Sequence, residues 1–134
     1  MPHEDDPRIS GKIVFYRRIP PGADRVSWDD TGTPTPASQN FRDHQDELSV
    51  HMAHETTPDQ VLQGHPGFGL VQFTAEQARD ILGDKFTICR DPEDPANGHV
   101  LICGNITGSL SKKLRKVATW VEGRMPQRGV EPPS

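Results

Sequence analysis

The sequence predicts a small α+β domain in which helices pack mainly on one face of a mixed sheet of about five short strands. Three observations indicate this fold class. Five short runs are rich in β-branched and aromatic residues, three segments carry helix-capping signals, and the apolar residues are concentrated between positions 41 and 121. The predicted order of elements is β-β-α-β-α-β-β-α.

Each predicted strand is bounded by Gly, Pro, Asp or Asn, which favour turns. The five strands cover residues 12–19, 48–52, 69–73, 86–89 and 99–103. The last two are expected to form a hairpin. If Cys89 pairs with His99, the two sulfur atoms of Cys89 and Cys103 lie roughly 13 Å apart, which is too far for a disulfide bond. The sequence therefore predicts two reduced thiols.

Three helices are predicted from their caps and their apolar spacing. The first begins after Thr57, which is followed by a proline at the first helical position. The second begins at a capping box formed by Thr74 and Gln77. The third covers residues 110–122, because apolar residues recur there on one stripe, and Gly123 is expected to end it.

The apolar distribution predicts one domain over residues 9–122. Residues 1–8 are predicted to be a flexible N-terminus and residues 123–134 a flexible C-terminal tail, since both are poor in apolar side chains. Residues 20–40 consist largely of turn-forming residues, so we expect a long irregular loop there.

The composition excludes several classes of protein. The 134 residues include 15 Lys and Arg and 19 Asp and Glu, giving a net charge of −4. Leu, Ile, Val and Phe make up 28 residues, and no apolar run approaches the roughly 20 residues of a membrane span. Two cysteines are too few for a disulfide framework or a four-thiolate zinc site. We therefore expect a cytoplasmic protein with no cofactor and no membrane partner.

The turn between the last predicted strand and the last helix has features of an anion-binding site. The unpaired amides of a helix N-terminus attract phosphate, and glycines let a ligand approach the backbone. The residues of this candidate site are Gly104, Gly108, Ser109, Ser111 and Lys112. The spacing is not that of a P-loop, and the alternative is an ordinary turn with Ser109 or Ser111 as the helix N-cap.

The C-terminal helix and tail are basic, with six Lys or Arg against two Asp or Glu in residues 110–134. Such a local charge is compatible with nucleic acid or an acidic protein partner, although no nucleic-acid-binding motif accompanies it. The candidate residues are Lys112, Lys113, Arg115, Lys116 and Arg124. The alternative is a solvated helix face.

Three further residues are candidates for chemistry. Arg17, on the first strand, could clamp a phosphate or carboxylate, although such an arginine usually pairs with an acidic residue of its own chain. His99 and His51 could transfer a proton, because the pKa of histidine lies near neutrality. His51 and His54 are weak metal-ligand candidates, because a strand would point them to opposite faces, and no metal site is predicted.

No complete catalytic constellation is visible in the sequence. The leading hypothesis is therefore a small binding or accessory module without catalytic activity, which acts through a protein partner or self-association. One alternative is a small enzyme for a phosphate-containing substrate, with Arg17 and the 104–112 turn holding the anion and a histidine moving the proton. Another alternative is a nucleic-acid binder that uses the basic C-terminal helix.

Overall fold

The structure is a computed structural model and describes residues 4–42, 46–94 and 96–128. Within these residues, eight strands and three α-helices are formed. In chain order they are β1 (Val14–Ile19), β2 (Val26–Trp28), β3 (Pro34–Pro36), β4 (Glu47–Met52), α1 (Pro58–Leu62), β5 (Gly69–Thr74), α2 (Ala75–Leu82), β6 (Thr87–Arg90), β7 (His99–Cys103), α3 (Gly108–Val117) and β8 (Thr119–Trp120).

The prediction of an α+β fold is confirmed, but the main sheet differs from the predicted one. It has six strands in the order β6-β7-β4-β1-β5-β8, and every neighbouring pair is antiparallel. The prediction of a mixed sheet with about five strands is wrong. The crossover through α1 does connect two strands that run in the same direction, β4 and β5, but β1 lies between them and pairs with both.

The segment predicted as an irregular loop, residues 20–40, is structured. Strands β2 and β3 form a small hairpin, and a 3₁₀ turn follows at Ser38–Phe41. Val26 and Phe41 are buried in the core. Asn40 is also buried, and its side-chain amide donates to the carbonyls of Arg25 and Ala37, so its burial leaves no donor unpaired. The many turn-forming residues of this segment predict a loop, although Val26, Asn40 and Phe41 anchor it to the core.

The C-terminal helix ends five residues before the predicted position. Helix α3 stops at Val117, and the next residues turn into β8, where Trp120 lies opposite Val71 of β5. The indole Nε1 of Trp120 donates to the Pro34 carbonyl at 2.9 Å, and the Val121 amide donates to the Leu70 carbonyl. Pairing with the sheet therefore outweighs the helical spacing of the apolar residues.

One face of the main sheet is covered by α2, α3 and the 3₁₀ turn, and this side holds the main core. Alternation along β4 places Leu48, Val50 and Met52 in that core. The other residues of β4, including Ser49 and His51, therefore belong to the opposite face. We call this opposite side the second face; α1 is the helix that packs against it.

The hairpin of β6 and β7 forms with a register two residues from the predicted one. Cys89 pairs with Leu101, and Thr87 pairs with Cys103. The two cysteines are consequently diagonal neighbours on the second face, and the predicted 13 Å separation is wrong. Both are buried free thiols. Burial raises the pKa of Cys89 to about 12 and also raises that of Cys103, so both thiols are poor nucleophiles.

The described parts of the two termini are hydrogen-bonded to the domain. The Asp6 amide donates to the Ile88 carbonyl, and the Ile88 amide donates to the Asp5 carboxylate, so these residues line the outer edge of β6. Near the other end, the Gln127 amide donates to the Gly67 carbonyl. The remainder of the two predicted flexible ends, residues 1–3 and 129–134, lies outside the described residues. Among the described helices, none has the length and apolar character needed to cross a bilayer.

Candidate active site

A polar cavity of about 390 Å³ opens on the second face. It lies between the floor formed by β1, β4 and β7, the end of α1 and the loop that connects β6 to β7. Its lining includes Arg18, Ser49, His51, Gln60, Gln63 and His99. The cavity thus brings together two histidines, a serine and an arginine.

Three side chains at this cavity lie in a row of polar contacts. The hydroxyl of Ser49 is in hydrogen-bond contact with Nε2 of His99. On the other side of the same ring, Nδ1 of His99 lies 3.1 Å from Oδ2 of Asp91. The side chains of His99 and Asp91 are 13% and 15% exposed, so both are largely shielded from water. The arrangement has the connectivity serine–histidine–carboxylate.

The surroundings of His99 fix its tautomer. Nδ1 faces two acceptors, the Asp91 carboxylate and the Asp94 carbonyl oxygen, the latter at 3.1 Å. The proton of a neutral ring therefore resides on Nδ1, and the lone pair of Nε2 is directed at the Ser49 hydroxyl. The carboxylate is itself held in place, because its Oδ1 accepts the Glu93 amide at 2.9 Å.

Strand register explains why these residues meet. His99 of β7 lies directly opposite His51 of β4, and Ser49 lies two residues along β4 on the same face. A diagonal neighbour at this spacing is within reach of a long side chain. Gly98 precedes His99 in a left-handed conformation with φ +68°, and a Cβ at Gly98 would lie 3.0 Å from the Met52 carbonyl oxygen. A glycine there lets the loop close tightly onto the end of β4.

The backbone of Ser49 is held from the other side of the sheet. Strands β1 and β4 pair as far as Tyr16, which lies opposite His51. Beyond this point the Ser49 carbonyl accepts a hydrogen bond from Nη1 of Arg17, at 2.9 Å. Nε of Arg17 also donates to the Asn40 carbonyl at 3.0 Å. The serine is therefore fixed by its own strand and by a side chain from the neighbouring one.

His51 lies beside His99, with 5.0 Å between the ring centroids. Burial, and then the nearby His99 and Arg18, lower the pKa of His51 from 6.5 to about 4, and Asp94 opposes this shift. His51 is thus uncharged at neutral pH. A neutral His51 places no positive charge beside the His99 ring.

The lowered pKa predicts acid destabilisation through His51. The unfolded chain binds a proton near pH 6.5 and the folded chain only near pH 4, so folding stability falls as pH drops through this interval. Because the ring is partly solvated, we expect a loss of about 1–2 kcal/mol, roughly half of the full conversion. Urea unfolding measured at about pH 7 and about pH 4.5 should show a smaller loss in His51→Gln than in the unmodified chain. Equal losses in the two proteins would exclude His51 as the source.

The structure brings together two of the three sequence-predicted catalytic candidates, His51 and His99. Arg17 does not join them. Arg17 lies two residues from both Phe15 and Ile19 along β1 and therefore shares their face of the sheet. Phe15 and Ile19 are core residues, so Arg17 belongs to the core face and not to the second face. The arginine that lines the cavity is its neighbour, Arg18.

The predicted anion-binding site, residues 104–112, lies outside the cavity. Gly104 follows the end of β7 opposite to His99, and a Cβ there would lie 2.5 Å from Cδ2 of Phe86, so close packing accounts for the glycine. The helix N-cap is Thr107, which replaces the predicted Ser109 or Ser111. Ser111 is buried, and its hydroxyl donates to the Gly108 carbonyl at 2.8 Å. Ser109 and Lys112 are exposed.

The basic candidates do not share one helix. Lys112, Lys113 and Lys116 are exposed on α3, and Arg115 on the same helix is partly buried. Arg124 follows β8, and its Nη2 lies 2.7 Å from Oδ1 of Asp59 on α1. Helix α3 packs on the core side of the sheet, so these lysines are remote from the cavity.

The two weak metal-ligand candidates are separated. The ring of His51 lies against His99, whereas Nε2 of His54 lies 3.4 Å from the Glu55 carboxylate. Within residues 4–42, 46–94 and 96–128, no group of three or more His, Cys, Asp or Glu side chains has the arrangement of a metal site.

Sequence reasoning missed Ser49, Asp91 and Arg18. The alternation of the strand Leu48-Ser-Val-His-Met52 already placed Ser49 on the same face as His51. Asp91 lies in an acidic, proline-containing segment, a composition that is typical of a solvated loop. What sequence alone did not provide was the register between β4 and β7, which brings His99 to both residues.

Comparisons with known protein families, with curated proteins and with solved structures find no match to this chain. The geometry of the cavity is therefore the basis for a functional proposal. Among the residues that the structure describes, Met125 is the one exposed large apolar side chain, which is the surface feature that bears on the leading hypothesis of a protein-binding module.

Proposed function

We propose that this protein is a hydrolase that cleaves a carboxylic ester by transient acylation of Ser49. The observation that carries the proposal is found at the wall of a polar cavity: the Ser49 hydroxyl is hydrogen-bonded to Nε2 of His99, and the Asp91 carboxylate lies 3.1 Å from Nδ1 of the same ring. A serine hydroxyl is a weak nucleophile until an adjacent base removes its proton. In this arrangement the base is oriented by a carboxylate, as nucleophilic catalysis requires.

In the first half of the proposed reaction, Oγ of Ser49 attacks the ester carbonyl carbon and its proton passes to Nε2 of His99. The resulting tetrahedral oxyanion collapses when the bond to the leaving alcohol breaks, and His99 gives the proton to the oxygen of that alcohol. In the second half, His99 takes a proton from water, which attacks the acyl carbon. The carboxylic acid leaves, and the Ser49 hydroxyl is restored.

The role proposed for Asp91 is to position His99. Its carboxylate lies 3.1 Å from Nδ1, where it favours the tautomer with the proton on Nδ1, and its charge stabilises the imidazolium that forms during each half-reaction. The tetrahedral oxyanion needs N–H donors, and these are available on the lining side chains Asn97 and Gln60.

Covalent labelling with a fluorophosphonate tests the proposal without a known substrate. Attack by Oγ of Ser49 on phosphorus displaces fluoride and leaves a stable phosphonyl-serine. We expect one adduct per folded chain, located on Ser49 by peptide mass spectrometry, and none after denaturation. Ser49→Ala should remove the adduct, whereas Ser109→Ala, which changes an exposed serine on α3, should keep it.

Two results would count against a nucleophilic Ser49. One is the absence of any adduct on the folded protein at probe concentrations that label serine hydrolases. The other is an adduct that persists in Ser49→Ala while that variant shows an unchanged circular dichroism spectrum and unfolding midpoint.

A further inference from the structure

Arg18 is the arginine that lines the cavity. It belongs to β1, lines the cavity and is half-buried. Its Nη1 donates to the Val61 carbonyl of α1 at 3.0 Å. In the described parts of the chain it has no carboxylate partner, whereas Arg79, Arg90 and Arg124 each pair with one.

A half-buried guanidinium without an anion is electrostatically uncompensated. Burial lowers the pKa of Arg18, and no carboxylate among the described residues offsets this effect. A guanidinium still carries its charge at neutral pH, because even a lowered value stays far above 7. The hydrogen bond to the Val61 carbonyl uses one N–H group, so further N–H donors of the planar guanidinium remain available toward the cavity.

The neighbours of Arg18 around the cavity favour an anion as well. Gln60 and Gln63 of the α1 region contribute carboxamides, which can donate N–H groups to an oxyanion. The other charged group at the cavity, Asp94, lies at its rim with a side chain 71% exposed, so water screens its charge. Asp91 stands behind the ring of His99 and is occupied by it.

We propose that Arg18, assisted by Gln63, binds an oxyanion group of the substrate, so that the enzyme selects esters whose acyl part carries a carboxylate or a phosphate. This inference rests on the proposed function, because it defines the substrate of the same site. The Arg18 guanidinium engages the anion in bidentate fashion, and the anion anchors the ester carbonyl beside Oγ of Ser49.

Matched esters test the selectivity. The 4-nitrophenyl monoester of succinic acid carries a carboxylate, and 4-nitrophenyl butyrate is its neutral counterpart of equal chain length. We expect kcat/KM to favour the succinate ester by about tenfold or more, the effect of one charge-assisted hydrogen bond pair. Arg18→Gln should abolish this preference, while Lys116→Gln, which removes an exposed charge on α3, should retain it. Equal turnover of both esters by the unmodified enzyme would overturn the proposal.

Anion binding can be measured separately from catalysis on folded Ser49→Ala, which cannot be acylated. Titration with inorganic phosphate or succinate, at constant ionic strength, should shift the NMR resonances of the His51 and His99 rings, and neutral succinamide should not. A response to phosphate alone or to succinate alone identifies which oxyanion fits. No response to either anion would reject the subsite even if Arg18→Gln failed to fold.

The two experiments distinguish the proposals. If Ser49 is not labelled by the fluorophosphonate but the anions bind, the hydrolase proposal fails and Arg18 remains an anion site. If Ser49 is labelled and neither anion binds, the hydrolase proposal stands and the inference about Arg18 is wrong.

Discussion

Replacing His99 by alanine is expected to slow fluorophosphonate labelling of Ser49 by at least about 10³-fold. The reason is that the hydroxyl of Ser49 has Nε2 of His99 as its hydrogen-bonded base. Without that base, the serine must be deprotonated by water. The second-order rate of labelling, followed by intact-protein mass spectrometry, measures the effect directly.

His54→Ala is the matched control, because it removes an exposed imidazole that does not line the cavity. It should label at the rate of the unmodified protein. Loss of labelling in both variants, or in neither, would contradict the assignment of His99 as the base. Since His99 is largely buried, the urea midpoint of His99→Ala should be measured alongside its labelling rate.

The positioning role of Asp91 has its own signature. Asp91→Asn replaces an acceptor by a group that can also donate, so the His99 ring should lose its preference for a proton on Nδ1. ¹⁵N NMR of the imidazole nitrogens reports this tautomer directly. Glu93→Gln is the matched control in the same loop, and it should leave both the tautomer and the labelling rate unchanged.

Phe41→Ala is expected to lower the free energy of unfolding by about 3–5 kcal/mol, the typical cost of emptying a buried phenylalanine site. Phe41 is fully buried and packs edge-on against Phe73, with 6.4 Å between the ring centroids. It is also the last residue of the 3₁₀ turn that contacts α3. Its removal therefore loosens the contact between the 20–42 segment and the core.

Urea denaturation followed by tryptophan fluorescence measures this loss. Phe68→Ala provides the comparison, since Phe68 is only partly buried and should cost no more than about half as much. If the two variants unfolded at the same urea concentration, the 3₁₀ turn would not be part of the cooperative core.

The elements that could be predicted from the sequence are those with local signals. The capping box of Thr74 and Gln77 forms as expected, and Thr57 caps α1 as predicted. The alternation in β4 correctly separates core residues from Ser49 and His51. These features depend on residues close together in the chain, so their chemistry is visible in a short window.

The features that escaped prediction depend on long-range pairing. The end of α3 is set by β8 adding to β5, a strand almost fifty residues earlier in the chain. The candidate site depends on the β4–β7 register, which places His99 beside Ser49 across a separation of 50 residues. No local pattern reports such a register, because many alignments of two short strands bury equal numbers of apolar side chains.

Asp5 and Asp6 cover part of the outer edge of the main sheet. They hydrogen-bond the main-chain N–H and C=O of Ile88 at the outer edge of β6, the strand that leads directly into Asp91. A shortened protein starting at residue 9 would leave the main-chain groups of Ile88 unmet and expose a template to which a second molecule could add a strand. Two residues far upstream of Asp91 in the sequence thus cover part of the open edge of the strand that precedes it.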